Sequence, residues 1–154
     1  MKNCKIEFMN ELPADIENKM RKSFVEYESL HGIDVNYKKL SIILRNNEDN
    51  ILGILNAFTA FSEIYVDDVW VDKPYRGRGY GRKLLETLEN HFKNKGFNNI
   101  NLVTNAFQAP EFYKKCGFTV EFVRTNTKNP KLCKTFFVKY FENELQTQGI
   151  LNGE

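Results

Sequence analysis

The chain has 154 residues, and its hydrophobic content of 42% and aromatic content of 14% suit one folded domain spanning 1–154 and exclude a disordered chain. A formal net charge of +2 gives no bulk attraction for nucleic acid or for an anionic membrane. No apolar stretch approaches transmembrane length, Met1-Lys2-Asn3-Cys4 opens without a signal-peptide core, and Cys4, Cys116 and Cys133 are an odd, scattered set. A cytoplasmic protein with reduced thiols and no metal centre is therefore expected, with His31 and His91 as isolated surface residues.

In chain order, Lys5 to Phe8 reads as a first strand. Leu12-Pro13-Ala14-Asp15 offers a helix start, and Leu12, Ile16, Met20, Phe24 and Tyr27 recur at helical spacing up to a stop at Gly32. Lys39 to Arg45 and Ile51 to Thr59 read as strands around the turn cluster Asn46 to Asn50. Gly53 suggests a bulge or a close backbone approach. Ile64 to Val71 is the central strand. A helix follows to about Lys95, marked by Leu84, Leu85, Leu88 and Phe92, with Gly96 closing it. Asn99 to Val103 is a strand, Pro110 to Cys116 a short helix, and Phe118 to Arg124 and Lys134 to Phe141 are two final strands. Glu142 to Glu154 is polar and aperiodic, so a frayed tail is expected there. The order β-α-β-β-β-α-β-α-β-β makes an α+β domain with one mixed central sheet.

The stretch that carries chemistry is Val69-Trp70-Val71-Asp72-Lys73-Pro74-Tyr75-Arg76-Gly77-Arg78-Gly79-Tyr80-Gly81-Arg82. A strand stops at Pro74, which has no N–H to donate, and glycines at alternate positions lead into a helix. The first turn of a helix has unpaired N–H groups and a partial positive charge, and small residues let a phosphate approach the backbone. Arg76, Arg78 and Arg82 add charge-assisted bonds to phosphate oxygens. The glycine spacing is not G-x-G-x-x-G, and no Gly-Lys-Ser/Thr triplet follows, which excludes the common dinucleotide and nucleoside-triphosphate loops. The bland alternative is a basic surface turn whose glycines serve only the backbone.

Arg76-x-x-Gly79-x-Gly81 after a strand ending Val-x-Val resembles the acyl-CoA pyrophosphate loop of the GNAT superfamily of N-acyltransferases. Gln108-Ala109-Pro110-Glu111-Phe112-Tyr113-Lys114-Lys115-Cys116-Gly117-Phe118 resembles that family's second hallmark, a short helix of the form A-x-x-F-Y-x-K-x-G-F. The resemblance is close over the second half of the chain, and by element order it extends from about Lys5 to Phe141. It implies a splayed central sheet with acetyl-CoA or coenzyme A as cosubstrate. The pantetheine arm would pair with the backbone of Val69-Trp70-Val71, and the pyrophosphate would lie over the N–H groups from Arg76 through Gly77, Arg78, Gly79, Tyr80 and Gly81 to Arg82.

The same resemblance makes Tyr113 the acid that protonates the departing thiolate; the alternative is a core aromatic. A phenol near pKa ~10 is only modestly mismatched to a thiol near ~8.5. Asp67 matches an acidic residue implicated in acceptor binding or proton removal, with Glu63 in reserve through a water. Simple strand alternation puts Asp67 and Asp68 on opposite faces, and the register implied by the resemblance turns Asp67 to the cleft, so Asp67→Asn is expected to matter more than Asp68→Asn. A carboxylate that only hydrogen-bonds nearby backbone is the competing account. Where many members of the family have an asparagine seven residues before the tyrosine, this chain has Ala106; Asn105 is one residue off, and Gln108 is an alternative.

The activity implied is acetyl transfer to a primary amine by direct attack in a ternary complex. Small amines, peptides and protein amines all remain open as acceptors. The main rival is a non-catalytic acyl-CoA-binding sensor. Nucleic-acid binding through Arg76, Arg78 and Arg82 ranks below both, since only one loop is basic. Phe136-Phe137-Val138-Lys139-Tyr140-Phe141 has apolar side chains on both strand faces, more than one buried face requires, so a homodimer burying part of this region is expected.

Overall fold

The computed structural model describes residues 4–142. The tail proposed from the sequence falls, beyond Glu142, outside the described residues. The chain forms two compact units, one ending at Val35 and one beginning at Asn36. The first holds α1 (Ala14–Leu30), which starts after Pro13 with Asp15 and Glu17 favourably placed in its first turn. It ends where Gly32 takes a φ of 68°. Lys5 to Phe8, expected as a strand, pairs with no strand; Ile6 and Phe8 are exposed. Four residues of alternating pattern do not hold an extended conformation without a ladder partner.

The second unit is a six-stranded sheet with two α-helices. Its strands are β1 (Lys38–Arg45), β2 (Ile51–Ala60), β3 (Glu63–Val71), β4 (Asn99–Asn105), β5 (Thr119–Arg124) and β6 (Lys134–Tyr140), in the order β1-β2-β3-β4-β6-β5. Among the described residues only β3 and β4 run parallel, and α2 (Tyr80–Phe92) makes the crossover between them. The short helix α3 (Pro110–Lys115) links β4 to β5. Tight turns set the antiparallel pairs. Asn46 Oδ1 accepts from the N–H groups of Glu48 and Asn50 at 3.0 and 2.9 Å, and Asp49 supplies the left-handed residue at φ 65°.

Helix α2 buries Leu84, Leu85, Leu88 and Phe92 against Leu55, Ala57, Ile64, Val66, Ile100, Leu102 and Phe137. Each such side chain contributes about 1.5–3 kcal/mol on burial, so this layer dominates the unit's stability. Lys139 reinforces it: its Nζ meets Glu89 Oε2 at 2.6 Å and the Cys116 carbonyl at 3.3 Å, tying β6 to α2 and to the end of α3. The helix is about a turn shorter than the sequence suggests. Lys93 leaves helical geometry at ψ 136°, and Asn94 and Gly96 then take positive φ.

Two irregularities of the sheet shape the region beside α2. First, β3 pairs with β4 only over Glu63–Asn99, Ile64–Ile100 and Tyr65–Asn101, after which the strands part. Second, β3 carries a bulge: Asn56 faces Asp68 while the next residue, Ala57, faces Val66, so Asp67 has no partner. The inward positions switch from Ile64 and Val66 to Val69 and Val71, and Asp67 and Asp68 are both exposed. The expected alternation of the two aspartates between faces is thereby corrected.

Gly53 is a close-approach position. A Cβ there would lie 2.9 Å from the Trp70 carbonyl oxygen and 3.1 Å from Leu84 Cδ1. Gly53→Ala is expected to destabilise the protein by about 1–3 kcal/mol in urea titration, because neither a strand carbonyl nor a core leucine can step aside cheaply. Unchanged stability would show that α2 has slack against the sheet.

Candidate active site

Where β3 leaves β4 the chain builds a cleft of about 550 Å³. Val69 and Val71 line it from β3, Arg76, Gly77 and Gly79 from the loop, Tyr80, Gly81 and Arg82 from α2, and Ala109, Phe112 and Lys115 from around α3. The loop is anchored to β2 by the Asp72 N–H, which donates to the Leu52 carbonyl at 2.9 Å, and otherwise holds itself. Asp72 accepts from the Lys73 N–H at 2.8 Å, Lys73–Tyr75 form a single 3-10 turn, and Arg76 Nε donates to the Val71 carbonyl at 2.9 Å. Gly77 and Gly79 then take φ of 74° and 82°, with open space where a Cβ would stand.

Gly79 is the N-cap of α2, and no side chain caps it. The first helical hydrogen bond runs from Lys83 N–H to the Gly79 carbonyl at 3.0 Å, so the N–H groups of Tyr80, Gly81 and Arg82 have no helical acceptor. Unfilled donors, a positive helix end, two arginines and no Cβ in the approach make an anion cradle on the wall of an apolar cleft. These residues fit a pyrophosphate.

Gly81 serves another purpose as well. A Cβ on it would come within 2.9 Å of Phe112 Cζ, so the glycine lets α3 pack on the first turn of α2. Arg82 strengthens the same junction, its Nη2 donating to the Lys115 carbonyl at the end of α3 at 2.7 Å. Two residues named for the cofactor sit apart from the cleft wall: Trp70 pairs with Ile54 and is exposed, and the Arg78 guanidinium lies 5.6 Å from the Tyr75 ring centre.

Tyr113, on α3, packs with ring centres 5.1 Å from Phe112, 5.9 Å from Phe137 and 6.1 Å from Phe118. Burial, then the neighbouring Cys116 and Asp68, pushes its phenol up to about 12. Its hydroxyl has no hydrogen-bond partner among the described residues, and it is not sealed from solvent.

The Acetyltransferase (GNAT) family profile matches residues 7–118, more than half of the chain. The chain belongs to the GNAT acetyltransferase family. An acetyltransferase of Agrobacterium fabrum is 28% identical over 106 residues, covering 69% of this chain and 77% of the relative. Among solved structures, a Bacillus cereus acetyltransferase is 27% identical with a TM-score of 0.72, over 88% of this chain and 98% of its own. A structure from Agrobacterium tumefaciens at 24% identity has a TM-score of 0.75 over 90% of this chain and 100% of its own, and bears on the fold alone.

Within this GNAT domain the candidate acidic residues and Gln108 lie outside the cleft lining and have distinct surroundings. Asp68 Oδ2 accepts from Asn56 Nδ2 at 3.1 Å, and Ser41 Oγ donates to Asn56 Oδ1 at 2.7 Å. The Asp67 side chain makes no hydrogen bond or ion pair among the described residues. Glu63, the reserve base, is already engaged. Tyr65 Oη donates to one oxygen and Asn99 Nδ2 to the other at 3.0 Å, and these bonds hold its carboxyl below the usual range. A carboxylate so satisfied is a poor proton acceptor; it ties the first register pair of β3 and β4 instead. Gln108 is spent similarly: its Oε1 accepts from Asn105 N–H at 2.8 Å and Asn105 Nδ2 at 3.1 Å, closing the end of β4.

Sequence reasoning missed Ala109, Phe112, Lys115 and Tyr75 as cleft residues and Asn56 and Ser41 as neighbours of Asp68. The first three lie within the Gln108–Phe118 motif, which was the available signal. Nothing in composition marks Asn56 or Ser41. Among the described residues no group of three or more His, Cys, Asp or Glu is placed to hold a metal ion, and no helix is long and apolar enough to cross a membrane.

Coenzyme A is expected to raise the melting temperature, since a ligand bound only by the folded state stabilises it by mass action. Gly79→Val should abolish the shift, because valine is strained at a φ of 82° and would fill the phosphate approach. Gly81→Val should lower the melting temperature even without ligand, by pushing Phe112 away. An undiminished coenzyme A shift in Gly79→Val would refute the cradle.

Proposed function

We propose that this chain transfers the acetyl group of acetyl-CoA to a primary amine by direct attack in a ternary complex. The observation that carries the reading is the cleft between the parted strands, walled by the uncapped start of α2. A Bacillus anthracis structure of the same fold, 23% identical, contains acetyl coenzyme A. A spermidine N-acetyltransferase of Vibrio cholerae and a ribosomal-protein alanine N-acetyltransferase of Escherichia coli have the fold too, so it accommodates both small and macromolecular amines.

Arg76, Gly77, Gly79, Tyr80, Gly81 and Arg82 hold the pyrophosphate, with Arg78 reaching it from the edge of the loop. The backbone of Val69, Trp70 and Val71, released from β4, pairs with the pantetheine arm. Bound acetyl-CoA supplies the acyl group as an activated thioester. An ammonium near pKa ~10 must lose a proton before its nitrogen can attack, and Asp67 or Asp68 accepts it, directly or through water. A freed β3 N–H stabilises the oxyanion. As the new C–N bond forms and the C–S bond breaks, the Tyr113 hydroxyl donates to the departing sulfur. A phenol at about 12 stays protonated across the neutral range, so the donor is always loaded. Complete transfer to a thiolate of pKa ~8.5 is uphill by roughly 5 kcal/mol, so the bond strengthens only as charge develops on sulfur.

Thiol release from acetyl-CoA across an amine panel tests the activity. Coenzyme A binding without turnover on any amine would favour an acyl-CoA sensor. Tyr113→Phe should lower kcat by roughly a hundredfold and leave coenzyme A affinity unchanged. The raised phenol also fixes a pH effect. Between about pH 10 and 12 the unfolded chain loses this proton while the folded chain keeps it, so the stability tied to Tyr113 is full below pH 10 and is lost above it. Tyr113→Phe should remove that alkaline loss. A limb of the kcat profile below pH 9 that vanishes in Tyr113→Phe would contradict the assignment.

The reading extends to assembly as a homodimer. The stretch expected to be covered, Phe136–Phe141, falls largely on β6, which lies between β4 and β5 with Phe137 and Val138 buried. The exposed neighbour is the edge strand β5, every residue of which, including Val120, Phe122 and Val123, is exposed, and such an edge invites a second copy. Sedimentation should give a dimer at micromolar concentration; a soluble, stable monomer would remove the need for one.

A further inference from the structure

Ser41, Asn56 and Asp68 stand in one row across β1, β2 and β3, each the register partner of the next. The row exists because of the bulge. Without the unpaired Asp67, Asn56 would face residue 67, and Asp68 would be carried to the other side of the sheet. The direction of the hydrogen bonds follows from the chemistry. An ionised carboxylate can only accept, so Asn56 must turn its amide N–H toward Asp68 at 3.1 Å and its carbonyl oxygen toward the Ser41 hydroxyl at 2.7 Å. One carboxylate is thus held by a two-step relay, while its neighbour Asp67 has no hydrogen-bond partner among the described residues.

Hydrogen bonds between exposed side chains add little to stability, since water competes for each of them. What the row does fix is orientation. It pins one carboxylate oxygen and leaves the other free. Asp68 is also close enough to Tyr113 for its charge to oppose ionisation of the phenol. The carboxylate that is held is therefore the one electrostatically joined to the residue placed at the sulfur.

We propose that Asn56 and Ser41 are positioning residues that aim the Asp68 carboxylate at the incoming amine. The proposal rests on the acetyl-transfer reading and deepens it, assigning the proton-accepting role to Asp68 and the aim of that group to two residues on neighbouring strands. Asn56 acts through Asp68 and touches no reacting atom.

The test measures thiol release from acetyl-CoA with putrescine as the probe amine, using the full chain. Wild type, Asn56→Leu, Asp68→Asn and the double variant are compared, with coenzyme A affinity by calorimetry as the check on folding and on the cofactor cleft. Asn56→Leu should lower kcat/KM for the amine about tenfold, the scale of one hydrogen bond to a charged group, with the KM for acetyl-CoA unchanged. Asp68→Asn should cost roughly a hundredfold. The double variant should match Asp68→Asn alone, because a relay with no carboxylate to aim has no further effect. Ser41→Ala should give a smaller loss in the same direction, and Asn56→Gln should recover part of the Asn56→Leu loss. Independent, multiplicative losses would overturn the relay, as would a larger loss from Asp67→Asn than from Asp68→Asn; in either case acetyl transfer itself would stand. If the wild type turns over no amine in the panel, the transfer reading fails and takes the catalytic purpose of the relay with it. NMR of the Asn56 side-chain amide decides the relay's existence separately. Its protons should exchange slowly in the wild type and faster in Asp68→Asn and Ser41→Ala, and a freely exchanging wild-type amide would refute the arrangement.

Discussion

The structure depends on how little β3 and β4 share. Three residue pairs join them, and beyond Tyr65 the backbone of β3 faces open space where a sheet would supply acceptors and donors. Unpaired strand backbone in a protein interior is costly unless something else bonds to it. Every other feature of the site follows from that parting. The Glu63–Tyr65–Asn99 cluster adds side-chain bonds to the three-pair seam. Val69 and Val71 present an apolar wall, and α2 brings its uncapped end to the mouth of the gap.

The second organising element is the junction of α2 with α3. Gly81 admits Phe112, and Arg82 bonds the Lys115 carbonyl, so the helix that offers N–H groups to an anion also anchors the helix that carries Tyr113. The uncapped start of α2 and the helix bearing Tyr113 therefore share one packed junction. Arg82 illustrates the economy: one guanidinium lines the cleft and satisfies a helix C-terminal carbonyl at once.

Much of this was legible in the residues. The leucines of α2 and the turn chemistry of Asn46 to Asn50 gave element type and position to within a few residues, and Gly53 was readable as a close approach. Tyr113 and the glycine loop could be singled out because their motifs occupy consecutive positions. What stayed hidden was set by pairing. Lys5 to Phe8 has the pattern of a strand but no partner. The bulge leaves no trace in composition, since Asp67 and Asp68 look equivalent until Asn56 selects one. The duty of Glu63 depends on a residue brought near by register, Asn99, whereas that of Gln108 is set by a local turn onto Asn105.

The three-pair seam also has a consequence for how the second unit assembles. β1, β2 and β3 follow one another through tight turns, and β5 and β6 pair across a short loop, so both sets form through contacts close in sequence. The seam joins Glu63–Tyr65 to Asn99–Asn101 across the whole of α2 and its loop, a reach in sequence matched by the β4–β6 ladder, and such long-range contacts carry the larger loop-closure cost. With so few ladder bonds in return, the free energy for closing it has to come from Leu84, Leu85, Leu88 and Phe92 settling onto both halves of the sheet. The crossover helix is thus the fastener of the unit, and the gap it leaves unfastened is the cleft beside β3.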